Sequence, residues 1–136
     1  MSIDRLLAAL LATAAVTGSA QTHAPDGAVK PNFSHAIPNV PGKTVVAVEV
    51  SYPPGGASAP HRHARSAFVY AYVVSGEIES QVDDGSSRIY KAGESFYEVP
   101  GAHHRISRNA SETMPAKLLA VFVVDTGDQP LTTPDE

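Results

Sequence analysis

At 136 residues, 43% of them hydrophobic, the chain has room for one globular domain and no more. A net charge of −4 excludes the broad basic surface that nonspecific nucleic-acid binding needs. Cysteine is absent, which removes disulfides, zinc–thiolate sites, iron–sulfur clusters and thiol nucleophiles together; any metal must be held by nitrogen and oxygen.

Taken in order, residues 1–20 read as an export signal. Arg5 lies before the apolar run Leu6–Val16, and Gly18-Ser19-Ala20 supplies small residues ahead of a cut. That run is too short to span a bilayer. The expected product is periplasmic or secreted, with no membrane attachment after signal removal. Residues 21–42 contain Pro25, Pro31, Pro38 and Pro41 and read as an extended arm, with Phe33, Ile37 and Val40 to lay on a surface.

From Thr44 the pattern becomes that of strands. Thr44–Tyr52 is β-branched and stops at Pro53-Pro54-Gly55-Gly56. His61-Arg62-His63 and Ala67–Val74 follow. Glu77–Val82 alternates into the turn Asp83-Asp84-Gly85, and Ser87–Tyr90 returns. Glu94–Val99 runs into Pro100-Gly101, then come His103–Arg108 and Lys117–Val124. Short strands punctuated by Gly, Pro and Asp-Gly predict an all-β sandwich or barrel over residues 43–125, with an acidic tail at 126–136.

Histidines cluster on two of these segments. In a strand, alternate side chains share a face, so His61 and His63 point the same way about 7 Å apart. A third imidazole from a neighbouring strand completes a set that can hold one divalent ion with positions left open. Imidazole ligation does not distinguish iron, manganese, nickel, copper and zinc.

The spacing resembles that of the cupin family. Gly55, five residues, His61-Arg62-His63 and then Gly76 follow its first motif. Gly93, five residues, Val99-Pro100-Gly101, His104 and Asn109 follow its second, with the asparagine one place late. Arg88–Gly93 matches the usual run into the second motif, and the resemblance covers Lys43–Val124. It implies a single-domain double-stranded β-helix, a jelly-roll barrel, with His61, His63 and His104 as metal ligands. His103, next to a ligand, is expected at the mouth or on the outer side.

The chain departs from the family at one ligand. Seven residues before Gly76, where the family's glutamate belongs, stands Val69. Three arrangements remain open: Glu98 supplies the carboxylate from another strand, three histidines act with water, or the site is degenerate. Because Val69 holds a ligand position, Val69, Ala71 and Val73 should line the interior. Phe68, Tyr70 and Tyr72 are then left for packing between sheets or subunits. Phe96, Glu98 and His104 should converge inside, while Arg62 and Arg105, beside ligands in sequence, are candidates for an anionic substrate. The implied function is a metal-binding cupin that acts on a small molecule as an oxygenase, isomerase or decarboxylase. The alternative is a non-catalytic binding or sensing module. The pattern names no catalytic residue. Small cupins commonly pair, so a homodimer is expected, with the arm bracing the partner.

Overall fold

A computed structural model describes residues 24–136; the expected export signal lies outside them. Among the described residues eleven strands follow in order: β1 (Ala28–Ala36), β2 (Lys43–Tyr52), β3 (Ala57–Ser58), β4 (His61–His63), β5 (Phe68–Ser75), β6 (Glu77–Val82), β7 (Arg88–Lys91), β8 (Ser95–Glu98), β9 (His103–Asn109), β10 (Ala116–Asp125) and β11 (Thr132–Pro134). Among the described residues no helix is long and apolar enough to cross a membrane.

The strands make two sheets, β1-β2-β10-β5-β8 and β11-β4-β9-β6-β7, with β3 paired to β9. Every strand pairing is antiparallel. The long partners β2 and β10 are dense in Val, Leu and Ala, and their alternate residues face the interior. Two sheets that each bury one face satisfy such alternation.

Two segments enter the sheets that composition alone left outside. Ala28–Ala36 pairs along β2 as an edge strand, exposed throughout, and its register slips between Pro31 and Phe33. Proline lacks the N–H that a central strand needs, so an edge with a bulge accommodates it. At the other terminus β11 pairs with β4, setting Thr132 opposite His63 and Pro134 opposite His61. The Leu131 carbonyl accepts a bond from Ala64 N, and the Pro60 carbonyl one from Asp135 N.

The core divides into two clusters. One gathers Val50, Tyr52, Val73, Ile78, Phe96 and Leu118; the other Ala67, Val69, Ala120, Phe122 and Val124. As the alternation of β5 predicts, Val69, Ala71 and Val73 are buried. Phe68, Tyr70 and Tyr72 point to the outer face and are not used between the sheets. Gly76 and Gly93 adopt φ of 72° and 88° at their turns. At Gly76 a side chain is also sterically barred, since a Cβ would come within 2.5 Å of the Pro115 carbonyl.

Candidate metal centre

β4 delivers His61 and His63 to one side of its sheet, and β9 brings His104 opposite His61. The donor atoms of the three imidazoles lie within 4.8 Å of one another. Parity alone does not account for His104. On β9, Ser107 and Asn109 face inward, and a regular strand would place His104, three residues before Ser107, on the outside. The β6–β9 register slips there: Gln81 opposes Ile106 but Val82 opposes His104. The extra residue, Arg105, restores His104 to the interior. His103 consequently lies on the other face, where its Nε2 meets the Asp135 carboxylate at 2.7 Å beneath the C-terminal segment.

Glu98 lies against two of these imidazoles. It is the register partner of Val69 across the β5–β8 pair. A carboxylate therefore stands one strand over from Val69, at the same level of the barrel. Glu98 is 3% exposed. Its Oε2 lies 2.7 Å from His63 Nε2 and its Oε1 3.2 Å from His104 Nδ1. The closer contact lacks hydrogen-bond alignment: both His63 nitrogens and Glu98 Oε2 are buried without a partner. Buried polar atoms are rarely left so. Three imidazoles with donor atoms this close, and the orphaned His63 nitrogens beside the orphaned Glu98 Oε2, fit a divalent cation.

The remaining hydrogen bonds orient the rings. His61 Nδ1 donates to the Ala59 carbonyl at 2.8 Å, which leaves Nε2 as the free lone pair of the neutral ring. His104 Nε2 is paired with Ser80 Oγ at 2.9 Å. Burial pushes His61 down, and it pushes His104 down to about 4 despite the opposing charge of Glu98, so both rings are neutral at pH 7. Burial raises the Glu98 carboxyl, but its contacts with His63, His104 and His61 outweigh this, and it lies below the usual range.

Around this group is a cavity of about 440 Å³. Val48, Val50, Val69, Leu118, Ala120 and Phe122 make most of its wall; Asp26 and Gly27 enter from before β1, and Leu131, Thr132 and Pro134 from the C-terminal segment. Tyr52, Ser58 and Ser107 also line it, and their hydroxyls are linked: Tyr52 Oη lies 2.7 Å from Ser58 Oγ and 2.8 Å from Ser107 Oγ. Burial raises the Tyr52 phenol against the pull of these two bonds, keeping it protonated.

Of the side chains expected at a substrate, Val69 lines this cavity. Phe96 does not: it packs in the core against Tyr90, with its ring 6.1 Å from that of His104. Arg62, between two inward histidines, projects to the outer face. Arg105, the bulge residue, is held outside by the Asp83 carbonyl and the Asp84 carboxylate. Alternation on β4 foretells the outward turn of Arg62; the bulge has no sequence signature. Asn109 braces loops, donating to the Pro53 and Met114 carbonyls. The Tyr52–Ser58–Ser107 cluster has no sequence signature, because those residues carry no motif and meet only through pairing.

A family model described as "Cupin domain" matches residues 48–122. The chain is a cupin. No curated protein sequence matches it significantly. Among solved structures, this cupin resembles a Klebsiella pneumoniae protein with a double-stranded β-helix domain, at 21% identity and TM-score 0.63, over 82% of this chain and 85% of that one. A Thermus thermophilus protein is 27% identical with TM-score 0.57, over 73% and 84%. Recombinant oxalate oxidase in complex with glycolate is 23% identical with TM-score 0.61; the match covers 86% of this cupin and 58% of the oxidase. These likenesses establish the fold and leave the reaction to the site.

Proposed function

We propose that this cupin is a metal-dependent enzyme that takes a small molecule into the barrel beside one divalent ion held by His61, His63, His104 and Glu98. The observation that carries this reading is the convergence of Glu98 Oε2 and His63 Nε2, 2.7 Å apart, buried and without hydrogen-bond partners. The set supplies four protein ligands, leaving open positions on an ion that prefers five or six. Such an ion, when bound, supplies Lewis-acid or redox chemistry of the kind used in oxygenation, isomerisation or decarboxylation. The protein's own part is positional. Ala59 and Ser80 fix the His61 and His104 rings, and Phe122, 5.4 Å from the His63 ring, keeps water from one side.

Elemental analysis of untagged protein, followed by metal titration of His61→Ala, tests the centre. Near-stoichiometric metal that is lost in the variant supports it, and unchanged binding in the variant overturns it. A metal-loaded protein that binds ligands without turnover or redox cycling would instead be a binding module.

Two further readings accompany it. Residues 1–20 direct export to the periplasm or beyond. Two copies pair through the outer face of the β1-β2-β10-β5-β8 sheet, where Phe68, Tyr70 and Tyr97 are exposed and the Phe68 and Tyr97 rings stack at 5.9 Å.

A further inference from the structure

The cavity has a second chemical feature besides the histidine–carboxylate group. Tyr52, Ser58 and Ser107 form a chain of three hydroxyls. Three hydroxyls bring three protons, and the two bonds between them use two. One proton and several lone pairs remain for a guest. Ser107 is the inward residue next to His104 on β9, about 7 Å away along the strand. A molecule reaching the histidines therefore passes within reach of the hydroxyls. Gly27 closes this end: a Cβ there would sit 2.6 Å from the Tyr52 ring, so its bare backbone lies directly on the tyrosine.

The charges of the lining are one-sided. Its carboxylates are Asp26 and Glu98, and no Lys or Arg is among its described residues. Arg62 and Arg105, the cations nearest in sequence, are turned to the outer surface. An anion entering the cavity would lose its water against a wall mostly of Val, Leu, Ala and Phe, with only the ion, already reduced by Glu98, to compensate it. A neutral molecule faces no such cost.

We propose that the ligand of this cavity is an uncharged organic molecule with apolar flanks and a hydroxyl or carbonyl group bound by the Tyr52–Ser58–Ser107 cluster, and that carboxylates of the same shape are disfavoured. The proposal rests on the metal-centre reading for the position of the ion, and on the cavity lining for the preference. It separates this cupin's pocket from one built around a carboxylate.

Three probes of one shape test it: 2-naphthol, naphthalene and 2-naphthoate, titrated calorimetrically into zinc-loaded protein, with zinc content measured on the same samples. The expected result is 2-naphthol binding at least tenfold more tightly than either other probe. Tyr52→Phe should erase the advantage of 2-naphthol over naphthalene and leave zinc content unchanged. Ser107→Ala, which disturbs packing less, should reduce the same advantage severalfold. Equal or tighter binding of 2-naphthoate overturns the proposal. So does an unaltered naphthol-to-naphthalene ratio in both variants, or the absence of binding by all three probes. If zinc is not retained, the metal centre fails instead, and the same three titrations on metal-free protein still decide between neutral and anionic ligands.

Discussion

Val69 and Glu98 face each other across β5 and β8, so exchanging them moves the carboxylate back to the strand on which cupins usually carry it. Directly opposed residues have Cβ atoms about 5 Å apart, close enough for a glutamate side chain to reach the same point from either strand. Glu98→Gln keeps the size and removes the charge. Metal affinity should then fall at least tenfold, which corresponds to about 1.4 kcal/mol. Val69→Glu alone places a second carboxylate at a position 1% exposed beside Glu98, and the metal-free protein should lose several kcal/mol of stability. The double exchange, Val69→Glu with Glu98→Val, restores one carboxylate and one aliphatic wall. Its affinity should return to within about tenfold of the parent. Competition with a chromophoric chelator, with metal content measured in parallel, reads the parent, these three variants and His61→Ala. If Glu98→Gln binds metal as tightly as the parent while His61→Ala does not, the site is three histidines and water, and Glu98 is no ligand. If Glu98→Gln is weak and the exchange recovers nothing, the equivalence of the two strand positions is refuted.

Other outcomes follow from the same features. In the metal-free protein His104 titrates near 4, below the 6.5 of an unfolded histidine, so the unfolded state binds the extra proton between those values. Stability should therefore fall as pH drops from about 6.5 to about 4, by on the order of 3 kcal/mol for this group, and denaturant unfolding at several pH values checks it. Glu98, also depressed, adds to the loss below about 4.5. Mass spectrometry of protein from its native host should find a terminus near Gln21; an intact Met1 or Ser2 in a cytosolic fraction would contradict export. Sedimentation should show a dimer at micromolar concentration that Tyr97→Asp on the outer face dissociates. Persistence of the dimer would move the contact elsewhere, and deletion of residues 21–42 tests the bracing role of the arm.

Much of the barrel was legible because its strands alternate cleanly and end at Gly, Pro and Asp-Gly. The burial of Val69, Ala71 and Val73 follows from a period of two; the same period turns Arg62 outward, against its place among the substrate candidates. Two kinds of information were hidden. Pairing between strands distant in sequence placed Glu98 opposite Val69 and gathered Tyr52, Ser58 and Ser107; nothing local in a chain reports who its neighbour will be. Irregular pairing was equally silent. A polar, proline-bearing stretch such as Ala28–Ala36 has no periodic face, and it becomes a strand only because β2 offers an open edge. Phe96 looked like a pocket residue because it shares parity with Glu98, but the depth at which a side chain sits along the barrel is not written in parity.

The bulge at Arg105 makes the interior depend on counting as much as on chemistry. Upstream of it the inward residue is His104, and downstream the inward residues are Ser107 and Asn109. A substitution at Arg105 leaves that phase intact. Loss of its codon would not: the ladder could close neatly while turning either the imidazole or the hydroxyl out to solvent. The two chemistries of the cavity are thus joined by one supernumerary residue. Within a lineage, a shift of a single residue in this strand would separate them more cleanly than any exchange of side chains.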